Sequence, residues 1–364
     1  MHCGLVTFHA AHHYGAMLQA YALAKAASDI AGHCELVDYV RPHTARTNRV
    51  FQSGVDLRTV MKNAHSLLHY GALKRRFERF EAFKDDFMPR SGKSFAELGE
   101  IETALPGYDL YLTGSDQIWN PFIYDDGNFD TVFFSSFAPK GARKAAYAPS
   151  FGSAVLDARH KDELRALLTG FSHLSAREKR GADILKEVTG VENIPVVLDP
   201  TLLLTAKQWG GIAAPYAQPR PYILCYFVSE PGALRAEAAA LKKRHGLRVL
   251  QLGARRKLPA ADKLVLDAGP REFLSLVKNA AFVLTNSFHG TVFSLLFGRD
   301  FLCDAGRGEE AGHSRAGGLL RMLGLEERLQ SVGSSGAGDK LDAERARSLG
   351  FLREALTGGT GNAG

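Results

Sequence analysis

The chain has 364 residues, 45% of them hydrophobic and 23% charged, with a formal net charge of +6. That length exceeds one ordinary domain, and the balance of apolar and charged residues excludes a fibrous or wholly disordered chain. No apolar run approaches the roughly 18 residues of a membrane span. The N-terminus lacks the basic-then-apolar pattern of a signal peptide. Cys3, Cys34, Cys225 and Cys303 are too scattered for a CxxC pair or a zinc site. The expectation is a cytoplasmic α/β protein in a reducing compartment, with no metal and no cofactor. The mild positive charge suits anionic ligands, and no nucleic-acid recognition motif accompanies it.

The first elements read as strand Gly4–Phe8, polar loop His9–Gly15, helix Ala16–Ala31 closed by Gly32, and strand Cys34–Tyr39. A strand leading through a glycine-containing loop into a helix begins a Rossmann-like half, although the glycine spacing is not GxGxxG. Residues 41–104 read as a helical insertion (Leu57–Tyr70 and Ala72–Phe87), in which lysine and arginine outnumber acids from Arg41 to Lys93. Such a run is either a solvated face or a face for an anionic membrane or a phosphorylated acceptor. Strands are expected at Tyr108–Thr113, Phe133–Phe134, Lys144–Ala148, Phe171–Ser175 and Val196–Leu198, with helices at Ala158–Leu168 and Glu178–Thr189. Three prolines in 215–221 mark a linker, after which a second series follows. It runs strand Tyr222–Val228, helix Ala233–His245, strand Arg248–Leu252, helix Pro270–Asn279, strand Ala281–Asn286 and helix Thr291–Phe297, with a late helix at Leu319–Leu323. The domains implied are 1–214, 215–330 and a Gly/Ser-rich tail, 331–364, partly disordered.

The densest chemistry lies where the strand Ala281–Asn286 gives way to Ser287-Phe288-His289-Gly290-Thr291. A helix that starts there offers N–H groups and the positive end of its dipole to a phosphate, at the strand edge where open sheets bind ligands. His289 could donate to a phosphoryl oxygen or move a proton near neutral pH. Read alone, a histidine satisfied at a strand end is the commoner case.

Read together, several segments resemble the polysaccharide pyruvyl transferase family. They are Thr7–His9 with Tyr14–Leu23, Thr113–Pro121, Tyr147–Gly152, Ser175–Lys179, Leu198–Thr201, Asn286–Thr291, and Ser314-Arg315 followed by Leu319-Leu320 and Leu323–Leu325. They occur in the family's order from about residue 5 to 330.

The resemblance implies two Rossmann-like domains facing across a cleft, similar to GT-B glycosyltransferases. It also implies transfer of the enolpyruvyl unit of phosphoenolpyruvate onto two hydroxyls of a sugar, as a ketal, with release of phosphate. The acceptor would be a cell-surface polysaccharide or its lipid-linked precursor. Apart from the resemblance, the basic excess in residues 41–93 suits peripheral contact with the inner face of an anionic membrane. On this footing His289 is the phosphate contact or proton donor, and Asp116 the candidate base, its other reading being a turn or N-cap carboxylate. Ser287, Gly290, Thr291, Arg315 and Arg177 would hold the donor, Arg177's other reading being an ion pair with Glu178 or Asp183; His9, Tyr14, Trp119 and Asn120 would meet the acceptor, Trp119 as a stacking platform or as core. One residue departs from the pattern: Ser287 stands where some members carry an arginine against the donor, so Arg315, Arg177 or Arg271 has to supply that charge if the donor is phosphoenolpyruvate. The competing readings are a nucleotide-sugar glycosyltransferase, with Asp267 or Asp304 gripping a ribose, and a non-catalytic sugar-phosphate-binding relative.

Overall fold

The computed structural model describes all residues except 106, 219–220, 254–255, 305–313, 335, 337, 360 and 363–364. The chain divides into two compact units. The first comprises Met1–Ala45, Phe87–Leu204 and Leu341–Gly364; the second comprises Arg46–Asp86 and Thr205–Lys340.

The first unit is built on β1 (His2–Val6), β2 (His33–Leu36), β3 (Leu110–Thr113), β4 (Lys144–Ala146) and β5 (Phe171–Leu174). All pairings are parallel, in the order β2-β1-β3-β4-β5. Parallel strands are covered on both faces, so they read as continuous apolar runs, and every residue of β3 is buried. The helix Tyr14–Ala31 joins β1 to β2, rich in alanine where it packs, and ends at Gly32, whose φ of 92° an L side chain adopts poorly.

The second unit holds β6 (Tyr222–Tyr226), β7 (Arg248–Leu252), β8 (Lys263–Val265), β9 (Phe282–Thr285) and β10 (Asp300–Cys303). These strands are also parallel, in the order β10-β9-β6-β7-β8. Taken in sequence within this unit, that is the dinucleotide-fold order, with the reversal between its first and fourth strands. The expected two-domain Rossmann-like α/β class therefore holds.

Several expectations need correction. The unit boundaries differ from 1–214, 215–330 and a tail: residues 46–86 belong with the second unit, and the chain returns to the first at Leu341. Gly338–Thr357 is a helix, hidden in the sequence behind the Gly/Ser-rich stretch that precedes it, and its Leu341, Ser348, Leu352, Ala355 and Leu356 are buried. Arg345 donates to the Leu202 carbonyl, and the Leu198 N–H donates to the Ser348 hydroxyl, at 2.6 and 3.0 Å. Asn362, in the stretch expected to be disordered, pairs with both backbone groups of Leu174 at 2.8 Å. Phe133–Phe134 sits in a 3-10 turn capped by Asp130, because both rings are drawn into the core. Val196 makes only an isolated bridge to Ala176. All four cysteines are buried thiols.

Because Leu352 is fully buried, Leu352→Ala should cost about 2–5 kcal/mol in urea unfolding. A change within a few tenths would mean that the C-terminal helix is not part of the packed unit.

Candidate functional site

An open parallel sheet has a crevice at the carboxyl ends of the two strands between which its order reverses, because the neighbouring crossovers leave in opposite directions. In the second unit that point lies between β6 and β9. Thr285 donates its hydroxyl to the Tyr226 carbonyl at 2.6 Å and accepts the Ser287 N–H at 3.0 Å. Asn286 then spans the gap. Its Oδ1 accepts the Val228 N–H at 2.9 Å, while Nδ2 donates to the Ser229 hydroxyl at 2.9 Å and the Glu230 carbonyl at 3.1 Å. Above this tie lies a cavity of about 370 Å³, lined by Ser229, Glu230, Asn286, Phe288, Asp304 and the segment Ser314–Ala316.

Two helices begin at that cavity. Ser287 caps Phe288–Leu296, its Oγ accepting the Gly290 N–H at 3.3 Å, and Ser314 caps Arg315–Leu323 by accepting the Gly317 N–H at 3.0 Å. The leading N–H groups of both helices fall outside their ladders, and the partial positive charge there favours an anion. Arg315 adds a full charge, 5.8 Å from the centre of the Phe288 ring. Glu230 and Asp304 set two carboxylates on the same lining, so an anion is held only where the helix ends and Arg315 outweigh them.

In the first unit the reversal falls between β1 and β3. The Thr7 hydroxyl donates to the Ser115 carbonyl at 2.7 Å, joining the two strand ends, and Gln19 donates to Thr7 Oγ1 at 3.0 Å and the Phe8 carbonyl at 2.9 Å. His9 is 1% exposed. Its Nδ1 lies 3.1 Å from the Thr7 carbonyl and its Nε2 2.8 Å from Asp38 Oδ1. Both ring nitrogens are thus engaged, and the other Asp38 oxygen is 3.5 Å from Arg90.

Asp116 follows β3 at φ 74°, a conformation that costs a non-glycine residue roughly 1–3 kcal/mol. It is pinned there by the Gln117 N–H on its carboxylate at 2.9 Å and the Ser150 N–H on its carbonyl at 2.9 Å. Arg177 holds it from the other side. That guanidinium lies 2.8 Å from Asp199, 3.5 Å from Asp116 and 3.7 Å from Glu178. Burial opposes its charge, but the carboxylates of Asp199, Asp116 and Glu178 outweigh burial and raise its pKa above the ordinary value.

A family model described as polysaccharide pyruvyl transferase matches residues 13–303. The chain belongs to the polysaccharide pyruvyl transferase family. Among solved structures, it resembles Methanocaldococcus jannaschii UDP-GlcNAc 2-epimerase in complex with UDP-GlcNAc and UDP, at 14% identity, TM-score 0.45, and coverage of 96% of this chain and 100% of the other. It also resembles a putative UDP-N-acetylglucosamine 2-epimerase from Listeria monocytogenes, at 11% identity, TM-score 0.49 and 94% of each chain. A third similarity is to the E. coli heptosyltransferase WaaC with ADP-2-deoxy-2-fluoro heptose, at 11% identity, TM-score 0.40, and 85% and 90% of the two chains. Comparison with curated proteins gave no match.

Of the three arginines expected to offset Ser287 in this pyruvyl transferase family member, two are engaged elsewhere. Arg177 is committed to three carboxylates, and Arg271 donates its Nε–H to the Ile212 carbonyl at 2.8 Å. Only Arg315, of the three, lines the cavity. The helix expected from Thr291 begins at Phe288. Ser287 is therefore its cap, and the Thr291 hydroxyl is turned back onto the Ser287 carbonyl at 3.1 Å. Gly290 is where the helix closes on β9: a Cβ there would lie 2.3 Å from Thr285 Oγ1. These three residues build the helix end. His289, 3% exposed, lies in its first turn beside Phe288, ring centres 5.1 Å apart.

The expected acceptor contacts are also packed. Trp119 is fully buried, stacked 4.9 Å from Phe134 and donating Nε1–H to the Phe133 carbonyl, so it presents no aromatic face to a sugar. Asn120 accepts the Phe122 N–H and donates to Gln117. Tyr14, 3% exposed, opens the first helix. Asn286 was legible in the motif, yet its bracing role shows only once β6 and β9 are neighbours. At the opposite edge of the first sheet, register brings His2 beside His33, and His33 shares a face with Glu35. Their ligand-type atoms lie within 4.8 Å of one another, where Glu35 also accepts the Tyr108 hydroxyl at 2.8 Å.

Arg177→Met leaves three buried carboxylates without their cation and should cost about 3–5 kcal/mol at neutral pH. Those carboxyls would then titrate at raised pKa in the folded state, so the deficit should narrow as pH falls. Urea unfolding from neutral to mildly acidic pH checks this; a small, pH-independent change would refute the arrangement.

Proposed function

We propose that the protein transfers the pyruvyl unit of phosphoenolpyruvate, as a ketal, to a sugar of a cell-surface polysaccharide or its lipid-linked precursor, with release of phosphate. The observation that carries this reading is the meeting of two serine-capped helix starts and Arg315 at one cavity, on the strand reversal of the second unit. The donor brings a carboxylate and a phosphate, and backbone N–H groups with a guanidinium are the chemistry that holds both.

In the reaction, the donor's methylene carbon gains a proton, its central carbon gains bonds to two sugar oxygens, and the bond from that carbon to the phosphate oxygen breaks. The two hydroxyls supply two protons, one ending on the new methyl group and one on phosphate, so no cofactor is required. His289 is assigned the proton delivered to carbon, as the titratable ring in the first turn of the donor-binding helix. Asp116 is assigned the base, its carboxylate fixed at the strand reversal of the first unit. The His9–Asp38 pair lies at the same edge.

The nucleotide-sugar reading has less support. Asp267 accepts the Tyr216 hydroxyl at 2.5 Å and faces Arg75 and Arg79. Burial, which would raise its pKa, is outweighed by Tyr216 and the arginines, and the carboxyl lies below its ordinary value. That leaves Asp304 alone for a ribose.

Incubation with phosphoenolpyruvate and a panel of lipid-linked and nitrophenyl sugars should release phosphate and add one pyruvyl ketal to the mass of a glycan. Arg315→Met should lower kcat/KM about 100-fold, on the scale of losing a charge-assisted contact, and His289→Gln should lower kcat. Full turnover by His289→Gln would remove the proton assignment; no phosphate release across a broad panel, with sugar-phosphate binding retained, would favour a non-catalytic relative.

A further inference from the structure

The helix Leu57–Leu68 in the second unit is amphipathic, but it sits inside out. Thr59 and Ser66 are its buried residues, and Asn63 is tied to both backbone groups of Gln52 at 2.9 Å. Leu57, Val60, Met61, Leu67 and Leu68 are instead 76%, 51%, 66%, 71% and 78% exposed. Their spacing of i, i+3, i+4, i+10 and i+11 puts them on one stripe. Val55, just before the helix, is 96% exposed, and Phe51 and Tyr70 stack 5.8 Å apart beside it, both exposed. An apolar stripe of this size facing water marks an interaction surface.

Charge decides what covers it. From Arg46 to Arg76 the chain carries seven lysines and arginines, and Asp56 is its one acid. Asp56 is spent as the helix cap, accepting the Thr59 N–H at 3.0 Å. Two copies of this face would bring like charges together, whereas an anionic lipid surface offers both an apolar layer and complementary charge. Among the described residues no helix is long and apolar enough to cross a membrane.

We propose that Leu57–Leu68 lies in the interface of an anionic bilayer, apolar stripe inward, with Arg58, Lys62, Arg46 and Arg49 against the headgroups. The proposal is independent of the donor, because vesicle binding is read without turnover.

The test is co-sedimentation of the full chain with vesicles of phosphatidylcholine mixed with phosphatidylglycerol, and with phosphatidylcholine alone. Binding should require the anionic lipid and weaken as salt is raised. The double variant Leu67→Ser/Leu68→Ser and, separately, Arg58→Glu/Lys62→Glu should each weaken it at least tenfold. Leu67, Leu68 and Arg58 are exposed and Lys62 is half-buried at the edge of the stripe, so circular dichroism should report unchanged folding. Failure of the parent chain to bind anionic vesicles, or binding untouched by both variants, would overturn the proposal. So would a dimer in sedimentation equilibrium that Leu67→Ser/Leu68→Ser turns into a monomer, since a second copy would then cover the stripe.

Discussion

Asn286 braces the place where the second sheet changes direction, and the cavity there depends on it. Its single amide binds the chain leaving β6 on one side and continues from β9 on the other. With that tie made, Ser287 is placed to cap a helix, and the helix points its N-terminus at the crevice instead of across it. The adjoining cap at Ser314 brings a second N-terminus and Arg315 to the same cavity. Among the described residues, what favours an anion here is two helix ends and Arg315, set against the carboxylates of Glu230 and Asp304.

The first unit solves a different problem at the equivalent place. Its strand reversal gathers acids: Asp38, Asp116, Glu178 and Asp199 all stand at the carboxyl edge or beside it. Arg177 is the counter-charge for three of them, and the strained backbone of Asp116 persists because both its carbonyl and its carboxylate are held. Removing one partner of such a buried network costs more than any exposed ion pair contributes. The same guanidinium that looks like an anion site in the sequence is thus a structural clamp.

The α/β class was legible because buried parallel strands write themselves as apolar runs separated by amphipathic helices. What escaped had local chemistry that pointed elsewhere. β8 is three residues long and begins with Lys263, and β10 begins with Asp300. The helix Gly338–Thr357 is disguised by the glycine before it and takes its fold from buried contacts at Ser348 and Leu352. Ser287, Gly290 and Thr291 stand together in the motif, but what each does depends on where the helix starts. Trp119 could not be separated from a stacking platform until Phe134 and Phe133 were beside it. Choosing Arg315 over Arg177 and Arg271 required three-dimensional neighbours that no spacing encodes.

The central claim is that the cavity beneath the two serine caps holds phosphoenolpyruvate through Arg315. Isothermal titration of phosphoenolpyruvate into the parent chain and into Arg315→Met, with UDP and GDP as comparison ligands, tests it most directly. The account predicts saturable phosphoenolpyruvate binding to one site, weakened by at least tenfold in the variant. Binding of the nucleotides alone, or phosphoenolpyruvate binding that is indifferent to Arg315, would contradict it.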